Sequence, residues 1–124
     1  GMASISRPET AAGQEFLYDF GDLKPGTYWY HPHSEQHEQL DKGLYGVLIV
    51  DPASTAGEPA YDYERTIVLD EWTNPLGGSG FVGHLLNGKA SDGQYTIAAQ
   101  SGQRLRLRFV NAAARTNYVV ALDG

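Results

Sequence analysis

The chain has 124 residues, enough for about one ordinary domain, and its 9 basic against 15 acidic side chains give a formal net charge of −6. This acidic balance has the wrong sign for tracking a phosphate backbone, so no nucleic-acid partner is expected. The absence of cysteine excludes disulfides, thiol catalysis and any cysteine-ligated metal within this chain.

The first half of the chain opens without periodicity and continues with strand-like alternation. Residues 1–13 are expected to be a tail, disordered or derived from an expression tag, and they lack the pattern of a signal peptide. Aromatic alternation at 16–20 predicts a strand that forms a hairpin with a second strand at 27–31. Beyond the polar segment 34–42, the apolar residues 43–50 predict a strand buried on both faces.

The second half follows residues 52–60, a small and polar stretch between two prolines that predicts a linker. Apolar or alternating runs predict five more strands, at 64–72, 81–86, 95–99, 103–110 and 118–122. The sequence shows no amphipathic helix and no apolar run near the roughly 20 residues that span a bilayer, so no membrane partner is expected. Many short strands and frequent turn residues predict an all-β sandwich or barrel.

Two patterns in the second half bear on side-chain orientation. In the strand predicted near residue 106, Leu105, Leu107 and Phe109 alternate with arginines, which predicts the apolar side chains facing a core and the arginines facing solvent. Asp70 and Glu71 are neighbours on one predicted strand and therefore point to opposite faces. They are not expected to flank a single scissile bond.

The sharpest candidate for chemistry is His31-Pro32-His33, at the end of a predicted strand. Histidines at i and i+2 on an extended chain project to the same side, so both imidazoles can reach one metal ion or two adjacent ions. Two imidazoles leave a tetrahedral site half empty. On residue types alone, a metal site and a hydrogen-bonded pair at a strand end therefore remain equally open.

The surroundings of this histidine pair resemble a known family. Residues 26–33, GTYWYHPH, and residues 43–50, GLYGVLIV, closely resemble the signature of the first cupredoxin domain of the multicopper oxidases. Residues 63–72 and 102–112 are similar to the opening half of the second cupredoxin domain. The resemblance covers nearly the whole chain and implies a cupredoxin-like Greek-key β-sandwich.

The resemblance also implies a function. His31 and His33 look like ligands of the paired coppers in a trinuclear cluster, where O₂ is reduced to water with electrons from phenols, amines or metal ions. The family's other ligand motifs and its blue-copper cysteine have no counterpart in this sequence. The isolated chain is therefore expected to be inactive, and no catalytic residue is assigned. The alternative is a non-catalytic cupredoxin-like sandwich that binds a partner chain or adventitious metal.

The family likeness divides the chain into pieces of two neighbouring domains. Residues 14–51 resemble the back half of a first cupredoxin domain, 52–60 the linker, and 61–124 the front half of a second. A back half followed by a front half is the order of a circularly permuted cupredoxin. We therefore expect 14–124 to pack as one permuted sandwich, or to be completed by strand exchange in a homodimer. The remainder of an oxidase is the other expected partner, and family resemblance implies a periplasmic or extracellular parent.

Overall fold

The computed structural model describes residues 7–73, 81–90 and 95–122, and strands dominate their regular structure. The elements are β1 (Gly26–Tyr30), α1 (Gln36–Asp41), β2 (Gly46–Val50), β3 (Tyr63–Thr73), β4 (Phe81–Leu86), β5 (Lys89–Ala90) and β6 (Leu105–Asn111). They form a two-stranded sheet, β1-β2, and a four-stranded sheet in the order β5-β4-β3-β6. The predicted all-β cupredoxin-like class is confirmed.

The small sheet is an antiparallel pair whose register depends on one glycine. Tyr30 lies opposite Gly46, and its phenol ring crosses the place where a Cβ at Gly46 would stand. Only glycine fits there without moving the ring. Because side chains alternate across a strand, fixing Tyr30 on one face directs Trp29 to the other.

Several predictions for the first half are wrong. Residues 16–20 form no strand, and β1 pairs with β2 instead of with that segment. Residues 36–41 of the polar segment form α1, which places Leu40 in the core and carries the i,i+4 ion pair between Glu38 and Lys42. β2 is half-buried rather than covered on both faces, since a two-stranded sheet has no neighbour on its outer side.

The large sheet is organised around β3, confirming the strand predicted at 64–72. β3 pairs parallel with β6 along seven residues and antiparallel with β4. The β4–β5 connection is Asn87-Gly88, and both residues have positive φ, 49° and 75°. That geometry suits the twist of a two-residue hairpin and explains an Asn-Gly turn. The buried apolar side chains of the described residues are Leu40, Ile67, Leu69, Val110 and Ala112.

The predicted faces of β6 are only partly correct, because Leu105 and Leu107 are no more buried than Arg106 and Arg108. Phe109 is 42% exposed, whereas Val110, on the face of the arginines, is 7% exposed. Arg108 is nearly buried because it donates to Thr27 Oγ1 at 2.7 Å and pairs with Glu64 at 2.9 Å. The arginine side of β6 therefore packs towards β1, where Thr27 accepts a hydrogen bond from Arg108 and the Glu64 carboxylate balances its charge.

Two other predicted strands are absent from the described residues. Residues 95–99 and 118–122 adopt no strand, and Val119 and Leu122 are almost fully exposed. Residues 74–80, whose proline and glycines predict a loop between two strands, lie outside the described residues.

The segments on either side of residues 52–60 touch each other. Besides the Arg108–Thr27 hydrogen bond, the Tyr45 hydroxyl donates to Asp70 Oδ2 at 2.6 Å. Residues 52–60 contain no helix or strand. The division into two cupredoxin half-domains stays a prediction.

No helix of the described residues could cross a bilayer. Their one helix, α1, has 6 residues.

Candidate metal centre

The site is built where β1 ends. The chain continues past Tyr30 without regular structure, and the rings of Trp29, His31 and His33 lie on the same side. The His31 ring stacks on Trp29 with centroids 4.2 Å apart and planes at 24°, and on His33 at 4.9 Å and 18°. We call Trp29, His31 and His33 the ring column. The structure brings both sequence-predicted histidines together, and their role as metal ligands stays a prediction.

The hydrogen bond of His31 determines which ring nitrogen can bind a ligand. Nδ1 lies 3.0 Å from the carbonyl oxygen of Pro32. A carbonyl only accepts hydrogen bonds, so Nδ1 carries the proton and donates it, and Nε2 keeps its lone pair. Metal-bound histidines commonly donate their second N–H to a backbone carbonyl in this way. His31 therefore has the tautomer that a metal ligand needs.

The near-parallel rings favour two neighbouring ions over one. Nitrogen ligands of a single tetrahedral ion lie roughly 3.3 Å apart when each metal–nitrogen bond is about 2.05 Å. The His31 and His33 ring centroids are 4.9 Å apart, and their planes differ by only 18°. The lone pair of each ring lies in that ring's own plane, so one ion cannot lie in both planes while the rings stay stacked. The pair as it stands thus suits adjacent ions that share a cavity.

The ring column faces a cavity of about 1070 Å³. Its walls are mainly apolar, with the aromatic residues Phe20, Tyr30 and Tyr45 among them. Arg7 closes one side, with its guanidinium 3.8 Å from the centroid of the Phe16 ring and within hydrogen-bond distance of the Tyr18 hydroxyl. Two aromatic residues of the segment predicted as a strand at 16–20, Tyr18 and Phe20, therefore line the cavity.

The described residues do not complete a metal site by themselves. They contain no group of three or more histidine, aspartate or glutamate side chains arranged to hold an ion. His37 lies exposed on α1 and does not line the cavity. His84 on β4 has its Nδ1 3.0 Å from the Tyr118 hydroxyl. Further donors would have to come from elsewhere.

The acidic groups near the histidines have structural partners. Glu38 pairs with Lys42 at 2.6 Å, and this ion pair lowers the pKa of the exposed Glu38 carboxyl. Asp41 accepts a hydrogen bond from Thr73 and lies 3.4 Å from Arg115. The Glu38–Lys42 pair stabilises α1 itself, and the contact of Asp41 with Thr73 joins α1 to β3.

Asp70 and Glu71 form a second polar site that the sequence did not indicate. Both are almost fully buried, at 4% and 2% exposure. Asp70 accepts hydrogen bonds from the Tyr45 hydroxyl at 2.6 Å and from the Glu71 N–H at 2.8 Å. Glu71 accepts one from Thr116. The separate partners agree with the expectation that the two carboxylates do not act as a pair.

Tyr118 connects this site to β4. Its hydroxyl donates to the backbone carbonyl of Asp70 at 2.6 Å, so the Nδ1–H of His84 must donate to the same hydroxyl oxygen. Burial raises the pKa of Tyr118 to about 12. Burial, helped by Asp70, also holds the pKa of Tyr45 far above its usual range. We call Tyr45, Asp70, Tyr118 and His84 the buried network.

Burial also raises the pKa of the Asp70 carboxyl, although the hydrogen bonds from Tyr45 and Glu71 oppose this. The tyrosine partners went unpredicted because they lie 25 and 48 residues from Asp70 in sequence. The only sequence signal was a tyrosine within the GLYG segment.

Comparison with known proteins gives consistent matches. The multicopper oxidase family model matches residues 1–55. The multicopper oxidase MmcO of Mycobacterium tuberculosis is 33% identical over 96% of this chain and 31% of its own length. Copper resistance protein A of Pseudomonas syringae pv. tomato is 25% identical over the whole chain and 29% of its own length. An L-ascorbate oxidase of Cucurbita pepo is 44% identical over 58% of the chain.

The matches cover only part of the relatives' own length. The chain spans less than a third of the curated relatives it matches most fully. The alignment with the Mycobacterium tuberculosis protein extends over 162 positions, so that protein carries internal residues that this chain of 124 lacks. No solved structure matches the chain significantly.

Proposed function

Because the chain belongs to the multicopper oxidase family, we propose that it contributes His31 and His33 as two ligands of a trinuclear copper cluster in a copper-dependent oxidase. The observation that carries the proposal is the His31 tautomer. His31 donates its Nδ1 proton to the Pro32 carbonyl, which leaves the lone pair of Nε2 free to coordinate a metal. The near-parallel rings of His31 and His33 suit two adjacent ions of such a cluster.

The residues of the chain would have separate roles in such an enzyme. Bound copper would supply one-electron chemistry and reduction of O₂ to water. His31 and His33 bind through ring nitrogens, and the Pro32 carbonyl keeps the proton on His31 Nδ1. Aromatic residues of the cavity wall lie beside the half-buried His31, whereas His33 is exposed. Electrons would come from phenols, amines or metal ions, and the parent enzyme would work in the periplasm or outside the cell.

The proposed partner is the remainder of an oxidase. The chain exposes 9615 Å² of accessible surface. A folded monomer of this mass exposes roughly 6,500 Å². The excess includes exposed aromatic side chains such as Phe16, Tyr18 and Phe20. The excess over a folded monomer is comparable to the area buried in a permanent interface. Other segments of an oxidase would cover this exposed surface.

Copper binding by the chain tests the proposal. Copper is added to metal-free protein, the affinity is measured by competition with a chromogenic chelator, and nitrogen coupling is read by electron paramagnetic resonance. His31→Ala and His33→Ala should each weaken binding by about tenfold or more, since each removes a donor. His37→Ala is the matched control, because His37 is exposed and outside the cavity.

The outcomes separate the proposal from its alternative. Loss confined to His31→Ala and His33→Ala supports a cluster-ligand role. Equal loss with His37→Ala would instead indicate adventitious metal on a non-catalytic sandwich. Undiminished binding by the His31→Ala/His33→Ala double variant would refute the ligand assignment.

A further inference from the structure

We propose that Trp29 is a positioning residue, whose indole holds the His31 imidazole in its metal-receiving orientation before any metal arrives. The inference rests on the proposed ligand role of His31 and His33. It adds that copper binding depends on Trp29, whose indole supplies no ligand atom to copper. It also predicts that the affinity for copper is set partly by the shape and stacking of residue 29.

The first support is the arrangement of the ring column. His31 lies between Trp29 and His33, with centroid separations of 4.2 Å and 4.9 Å. Rotation of the imidazole about χ2 would tilt it out of both stacks. The broad χ2 preference of histidine gives no comparable restraint by itself. The indole and the Pro32 carbonyl therefore restrict the His31 ring from its face and from its edge.

The second support is the way in which the backbone places Trp29. β1 pairs in register with β2, so Trp29 lies opposite Val47, one step from the Tyr30–Gly46 pair. Because the Tyr30 ring lies across Gly46, a shift of the register by one residue would place a side chain under that ring. The sheet thus fixes the backbone of Trp29, the first residue of the ring column.

The third support is Pro32. A residue before proline is restricted to extended backbone conformations, which maintains the alternation from Trp29 through His31 to His33. The proline carbonyl also accepts the Nδ1–H of His31. Pro32 therefore restrains the backbone and the tautomer of His31, and Trp29 restrains its ring plane.

Two substitutions separate stacking from simple filling of space. Trp29→Phe keeps an aromatic face, whereas Trp29→Leu keeps an apolar side chain without one. We expect Trp29→Leu to weaken copper binding roughly tenfold, the lower end of the range for residues that orient metal ligands. Trp29→Phe should stay within about threefold of the parent, because offset ring stacking survives. Affinity is measured by chelator competition, which does not depend on tryptophan emission.

Trp72→Phe is the matched control and also a tool. The chain has 2 tryptophans, and Trp72 on β3 is 48% exposed and does not line the cavity. This substitution should leave copper affinity unchanged and make Trp29 the sole source of tryptophan fluorescence. Stepwise addition of Cu²⁺ should then quench emission with the same midpoint as chelator competition, because the metal binds beside the stacked ring.

A metal-free readout tests positioning directly. Nitrogen-15 spectra of the histidine side chains, recorded at one alkaline pH, report which ring nitrogen carries the proton. We expect a single Nδ1–H tautomer for His31 in the parent and in Trp29→Phe, and a mixture of tautomers in Trp29→Leu. Circular dichroism checks that each variant folds. If Trp29→Leu does not fold, the Trp72→Phe quenching and a nuclear Overhauser contact between the Trp29 and His31 rings decide the question.

The results distinguish this inference from the proposed function. Copper binding that requires His31 and His33 but is unchanged in Trp29→Leu, with the same tautomer, would overturn the positioning role and leave the ligand role standing. If the His31 and His33 substitutions do not affect binding, the ligand role itself fails. Absent quenching or an absent ring contact in folded Trp72→Phe protein would also overturn the positioning role.

Discussion

The ring column and the buried network are both polar sites with aromatic side chains, but they are assembled differently. The column comes from residues two apart at the end of β1 and in the segment that follows it, and it opens to a cavity. The network joins the buried Asp70 on β3 to half-buried side chains far away in sequence. A local site can keep donors available to a ligand, whereas the network uses its donors and acceptors to hold two parts of the chain together. We therefore expect substitutions in the column to change binding and substitutions in the network to change stability.

The largest effect should come from Gly46→Ala, which is expected to disturb both properties. The new Cβ would overlap the Tyr30 ring, so this ring, which is 63% exposed, must turn away and lose its contact across the β1–β2 pair. Overpacking of this kind costs about 1–3 kcal/mol of unfolding free energy. Urea unfolding measures the loss, and chelator competition should show weaker copper binding because β1 positions the column.

Gly83→Ala is the matched control for that prediction. Gly83 lies on β4, and nothing is within 4 Å of the position its Cβ would take. We expect no loss of stability or copper affinity. If the two glycine variants behave alike, the Tyr30–Gly46 contact does not define the register of β1.

Asp70→Ala should affect stability alone. It leaves the Tyr45 hydroxyl without its acceptor, at a cost of about 1–3 kcal/mol. Copper affinity at a temperature where the variant is folded should remain that of the parent. A double-mutant cycle with Tyr45→Phe in urea unfolding should give a coupling free energy of about 1 kcal/mol, and zero coupling would contradict the hydrogen bond.

A smaller effect should appear in the pH dependence of stability. The pKa of Asp70 is raised from its ordinary value of 3.8 because the carboxyl is buried, so the folded protein binds this proton more tightly than the unfolded chain. The contribution of Asp70 to stability is therefore greatest below pH 3.8 and is lost as pH rises through the folded pKa. In Asp70→Asn this fall should disappear from urea unfolding measured across that range. A greater fall in the variant would show that the sign is wrong.

The smallest effect is expected on the surface of α1. Lys42→Ala removes the exposed ion pair with Glu38. Solvent screens such pairs, so neither the urea midpoint nor the copper affinity should change measurably. This variant sets the baseline for the other substitutions.

The two sites also differ in how far sequence could predict them. The His31 and His33 arrangement follows from the period of an extended strand, and β3 and the Asn-Gly turn follow from equally local patterns. The contact between Tyr45 and Asp70 was beyond such patterns, because it joins residues 25 apart. The orientation of β6 was partly mistaken because alternation reveals two faces but not which face another layer covers. At Arg108, hydrogen bonds donated by its guanidinium to Thr27 and Glu64 reversed the usual preference.

The parallel pairing of β3 with β6 has a consequence for the order of folding. Asp62 and Arg104, which join at the start of that ladder, are 42 residues apart in sequence. The antiparallel β3–β4 and β4–β5 pairs close shorter loops, and loop closure must be completed before distant contacts can form. β6 should therefore dock late, and until it does the long strand β3, with its apolar centre at residues 67–69, has an open edge. In a nascent chain, that interval is when association with another molecule competes most strongly with folding.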